Sequence, residues 1–301
     1  MIRKINVVNA EDKNVLHGDL YYDDASEKGL ILLLHGMAEH KERYAYVIQK
    51  LNENGYAVLS TDERGHGESA LTKGYFADEN GWQRNIDDQY ALYLEAKQTV
   101  DLPLILFGHS MGTLVARSFL KKYEEDVTKV VLTGTPNNNS AVSVAIALCN
   151  IIGKTKGWKY RSPLLNSLCF GAFNKKVKDP KTDYDWLSVN EENVRNYIAD
   201  EDCGYVFTTR GFKDMFQGMQ DVYKVKGWHP QKPALPIRFY SGSEDPCMGN
   251  EDGMKEAVQI LKNEGYADVS YQLYAGLRHE ILNEDRRDEV IGDIVSFLNE
   301  K

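Results

Sequence analysis

A chain of 301 residues, 42% hydrophobic and 27% charged, has room for one large folded domain or for a domain carrying a substantial insertion. Its formal net charge of −9 argues against a nucleic-acid partner, because a phosphate backbone is held by an excess of Lys and Arg. Four cysteines without a Cys-x-x-Cys pair make no disulfide framework, no apolar run is long enough to span a bilayer, and the first residues enter a strand without a signal-peptide core, which together predict a reduced, cytoplasmic protein.

Residues 4–8 and 14–22 alternate apolar and polar side chains, predicting a β-hairpin of edge strands with one wet face. The run Gly29-Leu-Ile-Leu-Leu-Leu-His35 is continuous instead, as in a central strand covered on both faces. A helix is expected over 43–54, with Tyr44, Val47, Ile48 and Leu51 at helical spacing and Gly55 as its stop. A strand at 56–60 leads into a polar, glycine-rich loop at 61–69. One long helix is expected over 82–100 and a buried strand over 102–107. A further helix at 113–123 and a strand at 127–133 follow. Strands and helices alternating at this spacing predict a largely parallel sheet with helices on both faces, and function beyond the C-terminal ends of the strands.

The alternation breaks near Gly134 and resumes at Pro236. Helices are expected within this interval at 141–152, 162–173, 190–200 and 212–224. Residues 136–235 therefore read as a helical cap inserted into a core made of 1–135 and 236–301. The cap holds Trp158, Phe170, Phe173, Trp186, Tyr197, Phe207, Phe212, Met215, Phe216 and Met219. Most of these are expected to form a small core of the cap itself, and some to line a cleft. The core resumes with strands at 236–241 and 269–274 and helices at 252–263 and 285–298.

The segment Gly108-His-Ser110-Met-Gly112, between a strand and a helix, fits a nucleophile elbow, where a strained serine is exposed at a helix N-terminus and the positions two residues to either side have room only for glycine. A serine hydroxyl needs a base, and the base an orienting acid. Only His229 and His279 follow Ser110. His229 lies in the turn at 226–230 within the insertion, whereas His279 follows the last strand, where such a fold delivers its base. The acid is expected to be Asp245, just past the strand at 236–241, rather than its neighbour Glu244. The oxyanion hole calls for backbone N–H groups, here of Met111, after the nucleophile, and of Met37, after His35-Gly36.

Together, His35-Gly-Met-Ala-Glu-His40 with Arg43-Tyr44, Asp62-Glu-Arg-Gly-His-Gly-Glu-Ser69, the elbow, Gly242-Ser-Glu-Asp-Pro246 and Gly276-Leu-Arg-His-Glu-Ile-Leu-Asn-Glu284 resemble the serine aminopeptidase S33-type branch of the α/β-hydrolases, which includes monoacylglycerol lipases and lysophospholipase-like esterases. The resemblance implies an α/β-hydrolase fold, mostly parallel, with an inserted helical cap. It also places Ser110, Asp245 and His279 on the catalytic motifs and Met37 and Met111 on the oxyanion positions. Cys247-Met248 departs from the small or glycine residues common in relatives. No cofactor or metal is implied. His35, His40, Asp62, Arg64 and His66 lack a convergent three-ligand pattern, Asp62 and Arg64 are expected to hold loops by hydrogen bonds, and the glycines form neither a dinucleotide fingerprint nor a phosphate loop.

The expected activity is metal-independent hydrolysis of a small apolar acyl ester, such as a monoacylglycerol or lysophospholipid, through an acyl-enzyme. Transient contact with a membrane surface is compatible with such a substrate. One rival is an aminopeptidase or amidase, with Glu191, Glu192, Asp200, Glu201 or Asp202 receiving the substrate's amine. The other is a ligand-binding protein on the same fold without catalysis.

Overall fold

The computed structural model describes residues 1–224 and 227–300, so Lys226, the first residue of the turn expected at 226–230, lies outside them. Eight strands form one sheet in the order β1-β2-β4-β3-β5-β6-β7-β8. They are β1 (Ile2–Val8), β2 (Val15–Tyr21), β3 (Gly29–Leu34), β4 (Tyr56–Thr61), β5 (Leu104–His109), β6 (Val127–Thr133), β7 (Ile237–Gly242) and β8 (Val269–Tyr274). The hairpin forms as the alternation predicts, but only β1 is an edge, since β2 also pairs antiparallel with β4. From β4 to β8 every pairing is parallel. Every residue of β3, β4 and β5 is buried, which is why these strands read as unbroken runs rather than as alternation.

Successive side chains of a strand point to opposite faces, and the core divides accordingly. Leu30, Leu32 and Leu34 pack on one face with helices α2 (Gly81–Lys97), α3 (Met111–Tyr123) and α8 (Glu251–Asn263). Ile31 and Leu33 pack on the other with α1 (Ala45–Glu53) and α9 (Arg287–Asn299). Among the described residues, four α-helices lie in the chain between β6 and β7: α4 (Val142–Lys156), α5 (Pro163–Phe170), α6 (Glu191–Ala199) and α7 (Thr209–Tyr223). Helix α7 packs on α2 and α3 and carries α4 on its outer side. Its apolar stripe of Phe212, Met215 and Phe216 therefore joins the main core, as does Phe207. A separate core for most of the inserted aromatics does not form. A small cluster of Trp186, Leu187, Tyr197 and Cys203, flanked by Phe170 and Phe173, is what stands apart. Amphipathic spacing reveals that a stripe is buried, but not against which partner.

Candidate active site

Strand β5 runs into Ser110, whose φ of +51° and ψ of −117° lie outside the regions where side-chain-bearing residues rest comfortably. Both flanking glycines are dictated by close approach. A Cβ on Gly112 would lie 2.2 Å from the Leu34 carbonyl oxygen, and one on Gly108 would lie 2.4 Å from that of Gly112. The turn is pinned by the Ser110 N–H, which donates to the Thr133 carbonyl at 2.8 Å, and by the Thr113 hydroxyl, which donates to the Ser110 carbonyl at 2.7 Å. Ser110 immediately precedes α3, so Met111 is the first helical residue and its N–H has no partner inside the helix.

His279 lies between β8 and α9, and Asp245 just past β7; both are buried. His279 Nδ1 is 3.0 Å from Asp245 Oδ2. The carboxylate also accepts from the Ser241 hydroxyl at 3.0 Å and from the Cys247 N–H at 2.8 Å. Burial alone would raise the Asp245 pKa, but the His279 charge and these donors outweigh it and hold it below the usual range. Burial alone would likewise lower the His279 pKa, yet the Asp245 charge and hydrogen bond raise it above the ordinary imidazole value. Glu244 points its side chain to solvent, so the two neighbouring carboxylates are told apart by burial. His229 is exposed as well.

Ser110, Met37 and His279 line one cavity of about 610 Å³, with Trp186, Tyr197 and Glu280 among its other walls. A second, more apolar chamber of about 230 Å³ opens on the other side of Ser110. It is lined by Met111 and Leu114 of the core and by Val142, Leu148, Phe173 and Met215 of the inserted segment, and it shares Met37, Ser110 and Phe170 with the first.

The loop after β3 is held against Ser110. A Cβ on Gly36 would sit 3.1 Å from Ser110 Cβ. Glu39 accepts from the Gly36 N–H at 2.6 Å, from the Tyr44 hydroxyl at 2.8 Å and from the Arg43 guanidinium at 2.6 Å. Arg43 also forms a two-point pair with Glu280 at 2.7 and 2.8 Å, tying this loop to the residue after His279. Ala38, at φ +54°, donates its N–H to His66 Nε2 at 3.2 Å. The His66 pKa is pushed down to about 3 by burial, so the ring is neutral and can accept that bond. The Ala38 carbonyl accepts from the Gly204 N–H at 2.9 Å and the Tyr197 hydroxyl at 3.0 Å, both of the inserted segment.

Asp62 meets the structural role expected of it, accepting from the Lys41 N–H at 3.0 Å and its ammonium at 2.9 Å. Arg64 instead braces the hairpin turn and α2 through Asp12 and Asp88. His109 is buried against the Thr133 hydroxyl at 3.0 Å, and burial, aided by the nearby His279 charge, lowers its pKa to about 4. Among the described residues, two groups of side chains stand close enough to share a cation: His40 with Asp200 and Cys203, and Asp245 with Cys247 and His279. In each, the histidine and aspartate are already bonded to one another, and burial raises the thiol pKa, so neither cysteine is a ready thiolate ligand. The Arg43 cluster and the packing of Trp186 on His279, with ring centres 5.1 Å apart, escape sequence reasoning, although Arg43 and Glu280 both sit inside the segments that carry the resemblance.

The family model described as serine aminopeptidase, S33, matches residues 25–286. A monoacylglycerol lipase from Mycolicibacterium smegmatis is 27% identical, the match covering 93% of this chain and 91% of the relative. Phospholipase YtpA from Bacillus subtilis is 25% identical over 90% and 95% of the two chains. The crystal structure of a highly thermostable carboxyl esterase from Bacillus coagulans, in complex with glycerol, superposes with a TM-score of 0.89 at 26% identity over 99% of this chain and 98% of that one. The chain thus belongs to the serine aminopeptidase S33 family and has the α/β-hydrolase fold.

Proposed function

We propose that this protein hydrolyses carboxylic esters of apolar acyl chains through a serine acyl-enzyme, with a monoacylglycerol or lysophospholipid as the substrate class. The observation that carries the reading is the buried Asp245–His279 hydrogen bond in the wall of the cavity that also holds the strained Ser110. The Ser110 hydroxyl attacks the acyl carbonyl while His279 takes its proton. Asp245 engages Nδ1 and so leaves Nε2 for that transfer. The N–H groups of Met37 and Met111 stabilise the oxyanion of the tetrahedral intermediate. The alcohol leaves with the proton from His279, and water, activated by the same imidazole, releases the acid.

The acyl chain belongs in the apolar chamber and the alcohol in the larger cavity, which presents the polar side chains and His279, the group that must protonate the leaving oxygen. In this reading residues 136–235 form the cap, since they contribute walls to both chambers. The relatives named for monoacylglycerol, phospholipid and carboxyl ester hydrolysis support the ester over the amide. None of the carboxylates considered for an amine, Glu191, Glu192, Asp200, Glu201 and Asp202, lines the cavity; the carboxylates that do are Glu39 and Glu280, both paired with Arg43, and Asp183.

A panel of acyl esters and aminoacyl amides, with Ser110→Ala as the blank, tests the assignment. Esters should turn over and the blank should not. Faster cleavage of amides bearing a free amine would overturn it. A fluorophosphonate should label the native protein and spare Ser110→Ala; equal labelling of both would remove Ser110 from its role.

A further inference from the structure

The cavity assigned to the alcohol has a volume of about 610 Å³. That is enough to enclose a drug-sized ligand, so a three-carbon alcohol alone leaves most of it unfilled. The charged walls indicate what fills the rest. Glu39 and Glu280 are both paired with Arg43, and His109 and His279 belong to the site already described. Two charged side chains remain, Arg161 and Asp183. Both are exposed at the cavity's rim, and among the described residues neither has an ion-pair partner.

The backbone holds the Arg161 guanidinium in place. It donates to the Val206 carbonyl and, at 2.8 Å, to the Lys73 carbonyl. Both acceptors are neutral, so the position is fixed while the charge stays uncompensated, and a guanidinium so held keeps donors for a further acceptor. Pro163, the first residue of α5, lines the cavity as well, so the positive end of that helix adds to the same field. The distance to the reacting centre follows from the wall between them. The Gly204 N–H bonds to Ala38, the neighbour of Met37, and the Gly204 carbonyl accepts from the Tyr184 hydroxyl at 3.0 Å. Val206, which holds Arg161, is two residues farther, at most about 7 Å along the chain. Asp183 precedes Tyr184, so the carboxylate and the guanidinium reach the same stretch, 204–206, without pairing.

In an acylated glycerophosphate ester the phosphate lies a few bonds beyond the ester oxygen that leaves, and the nitrogen of an ethanolamine or choline lies a few bonds beyond the phosphate. An anion followed by a cation supplies the partners that Arg161 and Asp183 lack, whereas a neutral glycerol leaves both unpaired. At the rim these charges also keep much of their hydration, which avoids the cost of burying them. We propose that the larger cavity is a subsite for a zwitterionic phosphodiester, with the phosphate on Arg161 and the ammonium on Asp183, so that a lysophospholipid is preferred to a monoacylglycerol. The placement of the alcohol rests on the esterase reading above, but binding is measurable without turnover.

The test titrates the Ser110→Ala protein with two dissolved ligands that share one acyl chain, 1-hexanoyl-glycerophosphoethanolamine and 1-hexanoylglycerol. Tryptophan fluorescence is the readout, since Trp186 lines the cavity. The phosphate-bearing ligand should bind about tenfold more tightly, as one charged hydrogen-bonded contact provides. That advantage should shrink as salt is raised. Adding Arg161→Gln should erase it, and adding Arg161→Lys should keep part of it, because the charge is retained and the planar fork is lost. Asp183→Asn should remove the preference for the ethanolamine ligand over 1-hexanoyl-glycerophosphoglycerol, which has the phosphate without the ammonium. With Ser110 in place, Arg161→Gln should lower the ratio of kcat/KM for the lysophospholipid over that for the monoacylglycerol by about tenfold, through KM. Circular dichroism verifies the fold of each variant. Equal affinity of Ser110→Ala for the first two ligands, or an advantage that survives Arg161→Gln, would overturn the proposal, and a preference unmoved by Asp183→Asn would overturn the ammonium assignment. A native protein that turns over no ester would instead overturn the esterase reading, so the two failures are distinguishable.

Discussion

Ser110 gains its exposure from a backbone conformation it would not adopt alone, and the surrounding contacts supply the difference. The carbonyl oxygen of Leu34 approaches Gly112 so closely that Gly112→Ala must push α3 away from β3. We expect it to cost about 3 kcal/mol, near the upper end for overpacking a filled site, with urea unfolding as the measurement. The Asp245–His279 pair makes a sharper prediction. Asp245→Asn should bind substrate normally and lose about four orders of magnitude in kcat, as expected when the imidazole loses its orienting carboxylate. The acid limb of the pH–rate profile should move too. His279 must be neutral to accept a proton, and its pKa is raised above 6.5, so the native rate should fall as pH drops through a value higher than 6.5. Removing the charge of Asp245 leaves burial dominant, which lowers that pKa, so the limb of the variant should shift to lower pH. A limb that stays in place would mean that Asp245 does not set the protonation of His279.

Between elements, the loop after β3 and the loop before α9 are joined through Arg43, which lies between Glu39 and Glu280. Burial favours the neutral form of Glu280, but the Arg43 charge overrides it and pulls the pKa down to about 2. A carboxylate depressed in this way contributes stability that is complete above its unfolded value near 4.5 and is lost as pH falls toward 2. Arg43→Met leaves two buried carboxylates without their cation and should cost about 3–5 kcal/mol at neutral pH. The difference from the native protein should shrink as pH is lowered through 4.5, and adding Glu280→Gln should recover part of the loss. This pairing spans 237 residues and is invisible to any local pattern. Other parts of the site were legible because they obey local rules. The elbow follows from a strand, two obligatory glycines and a helix; Asp245 and His279 follow from where parallel strands end. The destination of Phe207 and Phe212 in the main core was not legible, because spacing marks a face as buried without naming what covers it.

Across the whole molecule, the inserted segment is tied down unevenly. Residues 184–204 are bonded to the loop between β8 and α9 that carries His279: the Glu284 carboxylate accepts from the Ser188 hydroxyl and from the N–H groups of Val189 and Asn190, Arg278 donates to the Asp185 and Ser188 carbonyls, and the Glu280 N–H donates to the Leu187 carbonyl. These bonds fix the wall shared by Trp186, Leu187 and Tyr197, on the side assigned to the alcohol. The apolar chamber is made differently, from Met111 and Leu114 of α3 below and from α4, α5 and α7 above. Its length should therefore decide which acyl chains are accepted. Ala145 faces this space from α4, and Ala145→Phe would fill part of it. Turnover of acetyl esters should be nearly unchanged, whereas kcat/KM for long-chain esters should fall by tenfold or more, about what one or two displaced methylenes cost in an apolar pocket. Measuring kcat/KM over a series of acyl lengths with one alcohol tests this directly. A parallel loss for short and long chains would mean that the acyl group lies elsewhere, and the assignment of the two chambers would have to be reversed.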